Sequence, residues 1–336
     1  MSTADAEAII DESLPRGIGD RSGWREDIYA AFRVLTVQPS HENVCAVVAV
    51  IQQESSFQTD PVIPGLGAIA RREIDTRAQT AHVPLPLVHA VLGWKSSDGR
   101  TYGERIDQAR TEKTLSDIYE DFIAGVPLGR TLFDDKNPIR TRGPMQVNVA
   151  FAKEFAAATP YPYPVNRSIA DELFTRRGSI YFGVAHLLDY RAPYDDYIYR
   201  FADYNAGQYA SRNAAFQNAL KVASRTALDS DGALLPAAES SGGAGATELA
   251  ARALGARLGL DAASIHAALQ LEKSRSFENS MLYLRVFELA DETAGAPLPR
   301  ALLPTIELHG PKIKRRLTTQ WYARRVEQRF QNCLKL

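Results

Sequence analysis

Between residues 40 and 57 the apolar positions follow a helical period. Val44, Val47, Val48 and Ile51 stand at i, i+3, i+4 and i+7. Glu54 comes three residues after Ile51 and seven after Val47, so a carboxylate continues the greasy stripe. Burial there would desolvate it and move its pKa from about 4.3 toward neutrality. That is the range a general acid needs near neutral pH. The same period predicts helices over 20–37, 69–80, 85–93, 101–110, 114–123, 147–158, 168–191, 194–203 and 209–227. It resumes over 248–258, 262–273, 280–291 and 317–334. Ser40, after Pro39, is the expected N-cap of the Glu54 helix. Pro61, Pro64, Pro84, Pro86, Pro127 and Pro138 punctuate the stretch between 58 and 142. Strand-like alternation is nowhere sustained, so the chain reads as mainly α, with a short hairpin near 160–165 left open. The run Ser240-Ser241-Gly242-Gly243-Ala244-Gly245 gives 229–247 the composition of a flexible linker or loop.

Composition adds bounds. The 336 residues leave room for about two domains, and 45% hydrophobic with 24% charged residues is ordinary for a globular chain. A net charge of -1 gives no footprint for nucleic acid. Lys312, Lys314, Arg315, Arg316, Arg324, Arg325, Arg329 and Lys335 cluster near the C-terminus against Glu327, and read as a solvated helix face, with contact to an anionic polymer or lipid headgroup as the alternative. Cys45 and Cys333 have no metal-binding spacing; a bridge between them requires an oxidising compartment. No segment reaches the ~20 apolar residues of a membrane span. The first residues lack a signal peptide's basic and apolar regions, which leaves a cytoplasmic protein or one whose export signal has been trimmed. His82 and His89 read as helix-face histidines without companion ligands, and Gly65-Leu66-Gly67 follows no strand, so it is no dinucleotide loop.

Three further motifs follow Glu54-Ser55-Ser56-Phe57 in order. They are Gly143-Pro144-Met145-Gln146, the helix Ser179-Ile180-Tyr181-Phe182-Gly183-Val184-Ala185-His186-Leu187, and Asp203-Tyr204-Asn205-Ala206-Gly207. Together they resemble the soluble lytic transglycosylases of the goose-type-lysozyme-like group, whose motifs are E-S-x-F, G-x-M-Q, N-I-x-x-G-x-x-Y-L and A-Y-N-A-G. Asp203 departs from that pattern, standing where alanine is usual. A late-helix tyrosine of that family has its counterpart in Tyr322. The fuller pattern also resembles a family of bacterial envelope lipoproteins of unassigned function. The 85 residues of 58–142, where the transglycosylases have a short turn, lie outside the resemblance.

The resemblance implies a lysozyme-like core over 40–228, with 58–142 as a helical insertion. An N-terminal helical segment (1–39) precedes it, and a helical region (248–336) follows the linker, its last helix packing back on the core. It implies peptidoglycan glycan strands as partner, no cofactor and no metal, and a periplasmic or envelope location with membrane association through a trimmed, lipid-anchored N-terminus. Glu54 would protonate the leaving oxygen of the MurNAc–GlcNAc bond as an oxocarbenium-like centre forms. It would then take the proton of the muramyl 6-hydroxyl, closing an anhydro ring. Gln146 would hold an N-acetyl or hydroxyl group, with Met145, Tyr204, Asn205 and Ser55 as further substrate contacts and Tyr322 orienting Glu54. Two alternatives stand beside this reading. One is a hydrolytic muramidase using a second carboxylate such as Asp60, Asp203 or a residue of the insertion. The other is a non-catalytic peptidoglycan-binding envelope protein on the same scaffold.

Overall fold

The computed structural model describes residues 2–126, 136–236, 243–308, 310 and 315–336, and the protein is mainly α-helical. Pro127, the linker centre with Ser240, Ser241 and Gly242, and Lys312 and Lys314 lie outside the described residues. The chain forms two compact units that alternate along the sequence. One comprises Met1–Ser40, Ile51–Val184 and Gly310–Lys314; the other comprises His41–Val50, Ala185–His309 and Arg315–Leu336. The 229–247 segment therefore falls inside the second unit.

The first unit begins with α1 (Thr3–Ser13) and α2 (Arg21–Val34). Ser2 and Asp5 form a reciprocal capping box that starts α1, a helix absent from the periodicity above. The two helices pack on each other, and Ile10, Trp24 and Ile28 are buried. Helix α3 (His41–Glu54) starts in the second unit and ends in the first. Within the insertion, α4 (Leu66–Thr80), α5 (Leu85–Leu92), α6 (Tyr102–Gln108) and α7 (Glu112–Gly125) enclose a small core of their own. Tyr102, Ile106, Ala109 and Ile118 form it, with Ile74, Leu92 and Phe122 packed against it. Gly67 lets α4 and α6 approach closely, because a Cβ there would lie 2.5 Å from the Ile106 carbonyl oxygen.

A two-residue hairpin follows, β1 (Thr141–Arg142) against β2 (Val147–Asn148), leading into α8 (Val149–Ala158). The region 160–165 carries no strand. The single helix expected over 168–191 is two: α9 (Ile169–Glu172) and α10 (Arg176–Leu188). Thr175 makes the break. Its hydroxyl donates to the Glu172 carbonyl (2.7 Å) and accepts from Gly178 N (3.0 Å), starting a new helix.

In the second unit, α11 (Tyr197–Ala206) packs along α17 (Thr319–Cys333), with the Phe330 ring 4.8 Å from Tyr197 and 5.6 Å from Phe201. Helix α12 (Ala210–Ser224) carries the centre of a second core, closed by α13 (Ala246–Ala253), α14 (Gly255–Leu258), α15 (Ala262–Leu269) and α16 (Met281–Ala294). Arg212 is fully buried there. Its guanidinium donates to the Ser274 (2.8 Å) and Glu272 (2.6 Å) carbonyls and lies over the Tyr209 ring, so each charge-bearing edge has a partner. The described flanks of the 229–247 segment are pinned to this unit: the Gln217 amide donates to Asp231, the Ala233 carbonyl and Thr247, and Leu234 N donates to Glu272. A second hairpin, β3 (Glu307–Leu308) with β4 (Leu317–Thr318), delivers the chain to α17.

Candidate functional site

Every residue from Val44 to Ile51 is buried, so α3 is a core helix on all sides and not the one-faced stripe its sequence suggests. It reaches the surface in its first turn, where Glu42 is exposed, and again in its last, where Glu54 is half-buried. The chain then leaves through Ser56 (φ 51°) and Phe57 (φ 62°), two successive non-glycine residues in the left-handed region. That conformation costs about 1–2 kcal/mol per residue and persists only where the surroundings enforce it. The Phe57 ring supplies part of the enforcement, buried edge-on against Trp24 at 5.1 Å. Ser55 is buried, and its hydroxyl donates back to the Ile51 carbonyl (3.1 Å), a local helix bond.

Gly143-Pro144-Met145-Gln146 is the turn of the first hairpin. Gly143 has φ +74°, and a Cβ there would lie 1.9 Å from the Leu173 carbonyl oxygen. Only glycine fits. Met145 N donates to Ser179 Oγ (3.0 Å), and the Met145 side chain is fully buried over Gly183, whose absent Cβ would meet Sδ at 2.3 Å. Met145 therefore packs the turn onto α10. Gln146 also has a left-handed backbone (φ 50°). Its amide oxygen accepts from Thr141 Oγ1 (2.9 Å), and its nitrogen donates to Glu112 Oε2 (3.1 Å) and the Gly143 carbonyl (3.3 Å). Glu112 belongs to the insertion, 34 residues earlier, and no motif in the sequence marks it.

Tyr204, Asn205 and Tyr322 lie in the second unit, whereas Glu54, Ser55, Met145 and Gln146 lie in the first. His186 on α10 takes the place of the tyrosine in the third motif. Its Nε2 is 3.2 Å from the Tyr204 carbonyl, which can only accept, so Nε2 carries the proton. Full burial lowers its pKa to about 4. The Tyr204 ring is buried at 5.0 Å from that imidazole. Asn205 is exposed, with Oδ1 accepting from Thr319 Oγ1 (2.8 Å) at the start of α17, and Tyr322 is buried on that helix.

Asp203 is a structural anchor. It is buried and accepts from Tyr190 OH (2.9 Å), Tyr194 OH, Tyr209 N (3.0 Å) and Ser211 N (2.7 Å). Burial pushes its pKa up, opposed by the hydrogen bonds from Tyr194, Ser211 and Tyr190. Three of these donors reach Oδ2 and one reaches Oδ1, so the carboxylate ties together residues from Tyr190 to Ser211. Asp60 is an exposed residue whose partly desolvated carboxyl lies above the ordinary range, opposed by the Thr111 hydroxyl and Lys113.

Among the described residues, the group able to converge on a metal is His41, Cys45 and Cys333, with ligand atoms within 4.8 Å of one another. The two cysteines are joined in a disulfide (Cα–Cα 5.6 Å) and so offer no thiolate. No helix among these residues is long and apolar enough to cross a membrane.

A family model described as "Protein of unknown function (DUF1615)" matches residues 17–336. "Uncharacterized protein YaiW" of Escherichia coli (strain K12) is 47% identical over 331 residues, covering 98% of this chain and 90% of that relative. No solved structure matches the chain. The chain belongs to the DUF1615 family.

Proposed function

We propose that this protein is a peptidoglycan lytic transglycosylase with a lysozyme-like catalytic core, acting in the bacterial envelope. The carrying observation is Glu54, a half-buried carboxylate in the last turn of a core helix, followed at once by a strained, enforced turn. Glu54 donates its proton to the leaving GlcNAc 4-oxygen as the C1–O4 bond of MurNAc breaks. It then accepts the proton of the muramyl 6-hydroxyl as the C1–O6 bond closes the anhydro ring. The carboxyl ends as it began, and no water or cofactor is consumed. The Gly143–Gln146 turn, locked on α10 by Ser179 and by the gap at Gly183, supports the likeness between the second and third motifs and the transglycosylase pattern. The Cys45–Cys333 bridge supports an oxidising compartment.

A second reading, a non-catalytic peptidoglycan-binding envelope protein, is favoured by Gln146, whose amide is already engaged by Thr141 and Glu112. A digest of purified sacculi separates the two. Soluble muropeptides released by the wild-type protein and not by Glu54→Gln support catalysis; equal release, or none from either, removes it.

A further inference from the structure

The insertion has its own core and an open cleft of about 520 Å³. Arg71, Asp75, His89, Thr101, Glu104 and Asp107 line it, with Leu92, Gly93 and Gly103 between them. Directly after Gly93 comes Trp94, 53% exposed. A tight loop fixes its backbone at the cleft edge: Tyr102 N donates to the Trp94 carbonyl (3.1 Å), and Lys95 pairs with Thr101 across the loop. Beside a polar cleft, an exposed indole offers a flat apolar face to a ligand seated there.

The lining decides what that is. Its carboxylates are each already supplied with donors: Asp107 by Arg71 (2.9 Å), Asp75 by His89 (3.1 Å), and Glu104 by Thr101 N (2.7 Å). A metal ion would have to displace the donors these carboxylates already hold, and an anion would face three carboxylates against one guanidinium and one imidazole. A purely apolar ligand would strand these groups without water. A neutral, hydroxyl-rich ligand satisfies all of them. Its hydroxyls both donate to the carboxylates and accept from the guanidinium, and its C–H face lies on the indole.

We infer that the cleft between α4, α5 and α6, edged by Trp94, is a glycan-binding site distinct from Glu54. It would hold an N-acetylated sugar strand whether or not Glu54 cuts it. The test is titration calorimetry of the full-length Glu54→Gln protein with chitotetraose, a soluble N-acetylglucosamine oligomer. The Glu54→Gln background should bind the sugar. Adding Trp94→Ala, or Arg71→Gln, should weaken binding at least tenfold, with helicity unchanged by circular dichroism. Adding Leu87→Ala, an exposed apolar residue outside the lining, should leave it unaltered. Absence of binding, equal affinity after Trp94→Ala and Arg71→Gln, or an equal loss from Leu87→Ala would overturn the assignment. Because cleavage is scored separately by sacculus digestion, Trp94-dependent binding without digestion would retain this site and reject the catalytic reading. Digestion without such binding would do the reverse.

Discussion

Single atoms decide much of this site. At Gly183 a methyl group would drive into Met145 Sδ, Cε and Cβ. Overpacking of that kind costs about 1–3 kcal/mol, so Gly183→Ala should lower the denaturant midpoint; an unchanged midpoint would mean that Met145 is not seated there. His186 makes a pH prediction. Its folded pKa of about 4 lies below the ordinary 6.5, so the unfolded chain takes up the proton first as pH falls. The stability it permits is whole above about pH 6.5 and is lost as pH drops toward 4, about 3 kcal/mol in all. Unfolding curves at pH 7 and pH 4 should show a loss smaller by that order in His186→Gln; parallel losses in both proteins would refute the account. At this scale the sequence was informative about identity and silent about partners. Glu54 stood out because a charge interrupts an apolar run. The occupation of Gln146 by Glu112 and of Asp203 by two tyrosine hydroxyls depends on contacts that no local pattern encodes.

At the scale of elements, the helical period was legible wherever an apolar face repeats over three turns, as in α3, α12 and α17. It missed α1, whose start is written in the Ser2–Asp5 capping box more than in its apolar positions. It ran α9 and α10 together, because the break is made by the Thr175 hydroxyl without proline. Thr175→Ala should cost about 1 kcal/mol, readable as a lower melting temperature; no shift would deny the residue its capping role. Both hairpins escaped, since two-residue strands leave no alternation to read. One of them presents the Gly143–Gln146 turn. Its amide is set by Glu112 at the first position of α7. On the proposed function, Glu112→Ala should lower turnover about ten- to a hundredfold by loosening Gln146, with Glu112→Gln restoring part of it. Activity equal to wild type in Glu112→Ala would show that the Gln146 amide need not be held.

For the whole molecule, the longest-range covalent tie is Cys45–Cys333, 288 residues apart, which joins α3 to the end of α17 within one unit. Sequence left this pairing conditional on compartment. Closing so long a loop constrains the unfolded chain, a stabilisation of about 2–5 kcal/mol. Cys45→Ser, or reduction of the wild-type protein, should lower the urea midpoint accordingly, and an unmoved midpoint would show that the bridge carries no stability. The insertion, outside every resemblance, proves to be a separate small core whose α7 reaches the Gln146 turn. The proposed activity nevertheless rests on one carboxyl group and one bond. Its most direct test is mass spectrometry of the muropeptides that the wild-type and Glu54→Gln proteins release from purified sacculi. The account predicts 1,6-anhydromuramyl ends, lighter than reducing ends by one water, from the wild-type protein alone. Reducing ends only, or the same products from both proteins, would contradict it.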